Sequence, residues 1–94
     1  MKHHILVKWN PSVTDKAAML AQVSQLYAGA TAISGVAEAA VYGNVTDRPN
    51  RYDLMIVLTM PSEALPAWDA SDLHKRWKTE YGALIAQKAI FDCD

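Results

Sequence analysis

The chain is poor in cysteine, in net charge and in long apolar runs, and each absence excludes a class of protein. Cys93 is the single cysteine among 94 residues, so no intrachain disulfide can form, which indicates a reducing compartment and predicts a cytoplasmic protein. No apolar run approaches the roughly 20 residues of a membrane-spanning helix, and no signal-peptide pattern is present. The formal net charge is −1, so no strong field would attract nucleic acid or an anionic membrane. We therefore expect neither nucleic acid nor a membrane as a partner.

What the chain does contain is apolar residues at strand and helix periods, over a length that suits one domain, residues 1–94. Strands are predicted at residues 3–9, 36–45, 52–60 and 89–91. A first helix is predicted at residues 15–29, capped by Ser12 or Thr14. A last helix is predicted to begin at a cap, Ser71 or Asp72, and to follow an apolar stripe that ends at Leu84 and Ile85. A short helical segment is predicted between them at residues 65–68. The order is the ferredoxin-like βαββαβ arrangement, an α+β fold with one antiparallel sheet and helices on one face.

The predicted strand at residues 52–60 is apolar on both faces. Its alternate residues form two rows, one of Leu54, Ile56, Leu58 and Met60 and the other of Met55, Val57 and Thr59. Such a strand is typical of a sheet that is covered on both sides. Because the ferredoxin-like arrangement covers only one face with helices, a second copy of the chain is the simplest cover for the other. We predict a homodimer that packs sheet against sheet.

Three histidines are the candidates for acid–base chemistry, because histidine titrates near neutral pH. Alternation along the first strand places His3 and His4 on opposite faces. His74 lies near the start of the last predicted helix, on its apolar stripe. His3 and His74 are the candidate catalytic residues, and the alternative is a structural role, in packing or a dimer contact for His3 and near a helix start for His74.

Four segments together resemble the stress-responsive A/B barrel family, also called the dimeric α+β barrel or Dabb family, across nearly the whole chain. They are the opening strand at residues 2–9, the turn at 33–36, the strand start at 52–54 and the closing strand at 90–92. The resemblance implies a ferredoxin-like domain that dimerises into an α+β barrel. The resemblance implies that the chain needs no cofactor. It also implies two partners, a second copy of the chain in a homodimer and a small hydrophobic or aromatic ligand.

Within that family the chain is distantly similar to olivetolic acid cyclase, which closes a polyketide ring without metal or cofactor. The resemblance places His74 at its catalytic histidine and His3 at a histidine of the same pocket. Trp68 stands where that enzyme has a tyrosine, so Tyr27 or Tyr52 would have to supply the missing phenol. The implied functions are a small-molecule binding protein or a cofactor-independent cyclase or isomerase with His74 as general base.

Aromatic side chains are numerous enough to wall a pocket for a flat ligand. The candidates for ligand binding are Trp9, Tyr27, Tyr52, Trp68, Trp77 and Tyr81, and core packing would explain the same spacing. A third possibility is a resemblance of Trp68, Asp72 and His74, with the amide of Asn10, to the antibiotic-biosynthesis monooxygenases. No metal site is expected, because only His3, His74 and one carboxylate could converge.

Overall fold

The computed structural model describes residues 1–94 and confirms the α+β, ferredoxin-like βαββαβ fold. The strands are β1 (Lys2–Trp9), β2 (Glu38–Gly43), β3 (Leu54–Thr59) and β4 (Ile85–Cys93). The helices are α1 (Lys16–Tyr27), α2 (Leu65–Ala70) and α3 (Asp72–Tyr81), with short 3₁₀ turns at Ala30–Ala32, Ser62–Ala64 and Gly82–Leu84. The strands form one antiparallel sheet in the order β2-β3-β1-β4. None of these helices has both the length and the apolar content needed to cross a bilayer.

Side-chain oxygens cap α1 and α3. Asp15 Oδ1 accepts a backbone hydrogen bond from the first turn of α1 at 3.0 Å, whereas the sequence had favoured Ser12 or Thr14. Asp15 is the N-cap because it directly precedes the first helical residue. Ser71, one of the two predicted caps of α3, accepts from the N–H of His74 at 3.1 Å. This cap fixes the backbone of His74 in the first turn of α3.

The last strand begins earlier than predicted. β4 is 9 residues long, and α3 ends at Tyr81, so the predicted helical stripe was wrong at its end. Leu84 lies in a 3₁₀ turn and Ile85 opens the strand. Over so few residues the spacing of apolar residues cannot distinguish a helix from a strand. Pairing with β1 along the whole of β4 makes it a strand, although Gln87 and Lys88 interrupt its apolar pattern.

The inner face of the sheet, which the helices cover, carries the core. Every second residue of β1 and β3 is buried there. The fully buried side chains of largest volume are Trp68, Trp77, Tyr27, Ile56 and Leu58. Since burial of such a side chain contributes about 1.5–3 kcal/mol, this layer supplies most of the stabilisation. The outer face carries the alternate residues of the same strands, among them Met55 and Val57, which remain half-buried.

Two glycines allow close approaches between segments of the chain. Gly35 has a φ of +90°, which favours glycine, and a Cβ there would lie 2.6 Å from the Cβ of Ala64. A Cβ at Gly43 would lie 2.8 Å from Cδ2 of Leu20 in α1. Gly43 thus allows α1 to pack closely on β2, and Gly35 allows the turn before β2 to pack closely on the 3₁₀ turn before α2.

Candidate functional site

A cleft of about 290 Å³ lies between the sheet and the α2–α3 segment. Five apolar side chains form its walls, namely Ile5, Leu65, Trp68, Trp77 and Ile90. Five polar side chains also line it, namely His3, Asp69, His74, Lys88 and Asp92. Ile90 is 50% exposed, so the cleft is open on the side of β4. The cleft therefore combines apolar walls with a few convergent polar groups, which is typical of small-molecule sites.

His3 is held by a carboxylate from the neighbouring strand. The register of β1 and β4 places His3 directly opposite Asp92, so both side chains point to the inner face. His3 Nδ1 donates a hydrogen bond to Asp92 Oδ1 at 2.5 Å, and His3 is only 7% exposed. Because an ionised carboxylate only accepts, Nδ1 carries the hydrogen and Nε2 is the second nitrogen available to a ligand.

His74 is fixed in the same way by a backbone carbonyl. Its Nδ1 lies 3.0 Å from the carbonyl oxygen of Asp69, which can only accept, so Nδ1 donates. The imidazole also lies against Trp68, with ring centroids 4.9 Å apart and the planes tilted by 43°. A neutral His74 therefore carries its lone pair on Nε2, the nitrogen that a general base uses.

His4 lies on the other face of the sheet from these groups, as alternation predicts. Its Nδ1 donates to the carbonyl oxygen of Phe91 at 3.0 Å, and its ring meets the Phe91 ring edge-on at 6.2 Å. His4 does not line the cleft. Two adjacent histidines thus belong to two different surfaces of the molecule.

Tyr27 lies in the aromatic layer next to the cleft. Its ring centroid is 5.7 Å from that of Trp68 and 5.6 Å from that of Trp77, the two tryptophans of the cleft wall. The hydroxyl is buried without a hydrogen-bond partner, and burial raises the pKa of the phenol above its usual range. Tyr27 does not itself line the cleft, so it contacts the candidate site through the two tryptophans.

The other predicted ligand-binding residues lie elsewhere. Trp9 and Tyr81 contact Trp77, at 6.3 Å and 5.3 Å between ring centroids, and neither lines the cleft. Burial raises the pKa of the Tyr81 phenol, with a smaller contribution from Glu80. Tyr52 lines a separate, mainly apolar groove with Leu6, Tyr42 and Met55, whose pairing places it on the outer side of the sheet. Of the six aromatic candidates, the structure brings Trp68 and Trp77 to the two histidines.

The predicted monooxygenase-type arrangement is not assembled around His74. The amide of Asn10 donates to the carbonyl oxygen of Ala83 at 2.8 Å, beyond the end of β1, and Asn10 does not line the cleft. Asp72 is likewise absent from the cleft lining. The structure contains no group of three or more side chains that could hold a metal ion.

Sequence reasoning missed several groups of the cleft, above all Asp92, Asp69 and Lys88. Asp92 became a site residue only through the register of β1 against β4, and the predicted last strand ended at residue 91. Asp69 takes part through its backbone carbonyl, which any residue type could provide. The alternation of Lys88, Ile90 and Asp92 along one face was the available signal for this wall of the cleft.

Comparison with solved structures gives matches to proteins of the same fold. A dimeric ferredoxin-like protein of unknown function from Thermobifida fusca has a TM-score of 0.78 at 19% identity, over 96% of this chain and 85% of that chain. A Dabb family protein with a ferredoxin-like fold from Mesorhizobium loti has a TM-score of 0.73 at 9% identity, over 99% and 93% of the two chains. A hydroxynitrile lyase from Passiflora edulis has a TM-score of 0.73 at 11% identity, over 96% and 87%.

No protein-family model matches the chain, and no curated protein does. At identities of 9 to 19%, the likeness to these structures is one of fold. The predicted resemblance to dimeric ferredoxin-like proteins, a Dabb family protein among them, is confirmed at that level.

Proposed function

We propose that the chain forms a homodimer through the outer face of its sheet and binds a small hydrophobic or aromatic molecule in the cleft. The observation that carries the ligand proposal is the fixed orientation of two imidazoles, His3 and His74, within one cleft between tryptophan walls. Each ring uses Nδ1 for a protein acceptor, which leaves Nε2 for a ligand. A volume of about 290 Å³ suits a molecule of one substituted ring.

The proposed dimer is supported by the outer face and by the relatives in fold. Met55 and Val57 on that face are half-buried in a single chain, and Phe91 and Tyr42 are 63% and 55% exposed. Large apolar side chains exposed together on one face are typical of an interaction surface. The similar structures from Thermobifida fusca and Bacteroides fragilis are both described as dimeric. Native mass spectrometry tests the dimer, since one chain has a mass of 10.4 kDa and two have twice that.

Ligand binding is tested with simple aromatic probes and a variant that fills the cleft. We expect 4-propylphenol and phenylacetone to bind in isothermal titration calorimetry at micromolar to millimolar concentration, and Ile90→Trp to remove this binding. Ile90 is a suitable site because it lines the cleft and is half exposed, so a larger side chain does not disturb the core. The matched control is Lys75→Trp, on the exposed surface of α3. Equal binding by both variants would contradict a ligand site in the cleft.

A second candidate function is proton abstraction by His74, as in a cofactor-independent isomerase or cyclase. The hydrogen bond from Nδ1 to the carbonyl of Asp69 favours it, because that bond fixes the tautomer whose Nε2 can accept a proton. In this step Nε2 takes a proton from the carbon next to a ligand carbonyl, and the C–H electron pair moves to form an enolate. The protonated Nε2 then gives a proton back to carbon of the enolate, and in D₂O exchange of the Nε2 proton with solvent before this return delivers a deuteron. His3, with Asp92 behind it, would orient the carbonyl group.

The exchange of the benzylic protons of phenylacetone in D₂O, followed by NMR, tests this candidate. We expect the protein to accelerate the exchange and His74→Gln to reduce the acceleration by about 10²-fold, since a positioned general base contributes 10²–10⁴-fold. Glu80→Gln, which changes an exposed charge on the same helix, serves as the control. If phenylacetone binds but exchanges no faster than in buffer, the chain is a binding protein and not this type of catalyst.

A further inference from the structure

Lys88 is the one permanently cationic side chain that lines the cleft, and it has no partner in the chain. The register of β4 against β1 places Lys88 opposite Val7, which is buried on the inner face of the sheet, so Lys88 belongs to that face as well. Lys8 and Lys16 find acceptors within the chain, at 2.7 Å and 2.9 Å, whereas the ammonium of Lys88 finds none. Lys88 is therefore free to pair with an anionic group of a ligand.

The two acidic side chains of the cleft do not neutralise Lys88. Asp92 accepts the hydrogen bond from His3, and neither Asp92 nor Asp69 forms an ion pair with Lys88. Lys88 and Asp92 are four residues apart on β4, with Ile90 between them, and a strand rises about 13 Å over that length. The cleft thus has an anionic end at Asp92 and a cationic end at Lys88. An anionic group of a ligand is repelled at the first end and attracted at the second.

The hydrogen-bonding groups of the cleft have the same polarity. With Nδ1 donating, neutral His3 and His74 each present Nε2 as an acceptor. The ammonium of Lys88 has three donors and no acceptor. A ligand that matches both ends therefore presents an acceptor to Lys88 and a ring, bare or hydroxylated, to the histidines.

A lysine on an edge strand can also serve the fold. β4 is an edge of the sheet, and charged side chains on edge strands discourage pairing with another chain. That role depends on the charge of Lys88 alone. It predicts no difference in affinity between ligands of different charge, so ligand charge distinguishes the two roles.

We propose that Lys88 selects an aromatic monocarboxylate, whose carboxylate pairs with the Lys88 ammonium while its ring lies over Ile90 towards His3 and His74. The proposal rests on the proposed ligand site and adds the chemical class of its ligand. A single ammonium balances a single negative charge, which favours a carboxylate over a phosphate that carries nearly two. Lys88 and Ile90 lie on the open side of the cleft, so the ion pair keeps contact with water and avoids the cost of full desolvation.

Phenylacetate and phenylacetone test the proposal, because the first has a carboxylate oxygen where the second has a methyl group. In isothermal titration calorimetry the wild-type chain should bind phenylacetate about 10-fold more tightly than phenylacetone, since hydrogen bonds to charged groups are the stronger ones. Lys88→Met should reduce this ratio of affinities to about 1 or below. Lys88→Glu should reverse the preference, so that 2-phenylethylammonium binds more tightly than phenylacetate. Added salt should lower the wild-type ratio, because an exposed ion pair is screened.

The matched control is Lys75→Met, which removes an exposed lysine outside the cleft and should keep the wild-type ratio. Ile90→Trp should remove the binding of both probes, which assigns the anion to the cleft. Circular dichroism checks that each variant is folded, and Lys88→Gln replaces Lys88→Met if the latter does not fold.

Failure of this inference and failure of the proposed function give different results. If phenylacetone binds and phenylacetate binds no more tightly, the ligand site stands and the anionic class is wrong. An equal preference for phenylacetate in wild type and Lys88→Met would show that Lys88 does not select the anion. Phenylacetate binding that persists in Ile90→Trp would place the anion outside the cleft and overturn the inference as well. If neither probe binds, the proposed ligand site is wrong and the inference falls with it.

Discussion

The two faces of one four-stranded sheet are both rich in apolar residues, but they differ in how polar groups are arranged. On the inner face, His3 is bound to Asp92 within a cleft whose walls include Trp68 and Trp77. On the outer face, the central side chains of the four strands carry no permanent charge, and lysines lie beyond them. The oriented polar groups inside apolar walls support the proposed ligand site. The uncharged outer face supports the proposed dimer.

The largest expected effect is on the free energy of unfolding, when one aromatic residue on each face of the sheet is truncated and the two losses are compared. Trp77→Ala should reduce the free energy of unfolding by about 3–5 kcal/mol, because it leaves a cavity beneath the cleft where Trp77 is 2% exposed. Phe91→Ala should change the free energy of unfolding of the monomer by only about 0.5 kcal/mol, since Phe91 is largely exposed in one chain. Urea denaturation at several protein concentrations measures both. The contrast between the faces fails if the two variants lose the same free energy at every concentration.

The next effect tests whether the cleft depends on its oriented histidine. Asp92→Ala should cost about 1–3 kcal/mol of unfolding free energy, because the Nδ1–H of a buried His3 loses its acceptor. The same variant should weaken binding of phenylacetone, and ¹⁵N NMR should show a mixture of His3 tautomers. Asp94→Ala removes a fully exposed carboxylate two residues away and should change none of these three quantities. Unaltered tautomer populations in Asp92→Ala would show that something other than Asp92 orients His3.

The smallest effect concerns the unpaired phenol of Tyr27. Tyr27→Phe should leave stability unchanged or raise it by up to about 1 kcal/mol, because the hydroxyl is buried without a partner. Burial raises the pKa of this phenol in the folded state above its ordinary value of 10.0. Above about pH 10 the unfolded chain therefore loses this proton while the folded chain retains it, so wild-type stability falls as pH rises.

Thermal unfolding from pH 8 to 11, compared between wild type and Tyr27→Phe, measures that difference. The stability advantage of Tyr27→Phe should grow above pH 10. A loss of more than about 1 kcal/mol in Tyr27→Phe at pH 8 would instead indicate that the hydroxyl has a hydrogen-bond partner in solution.

Much of the fold could be predicted from the sequence because β1, β3 and α1 bury regular rows of side chains. These rows recur at regular spacing, and the observed bounds differ from the predicted ones by at most two residues. β4 could not be predicted in the same way, since Gln87 and Lys88 hide the strand period and only pairing with β1 defines its length. The histidines of the cleft were identified as candidates from residue type and resemblance. Their partners depend on strand register and on a backbone carbonyl, which local sequence does not encode.

The hydrogen bond between His3 and Asp92 joins positions 89 residues apart. Contacts of such long sequence separation form slowly in folding, because bringing the two ends of the long intervening segment together costs chain entropy before the contact stabilises the fold. The cleft therefore exists only after the edge strand β4 has docked against β1, and a bound molecule would oppose the release of that strand. Ligand binding should therefore slow the hydrogen exchange of the β4 amides more than that of amides elsewhere, even for a ligand that contacts few residues.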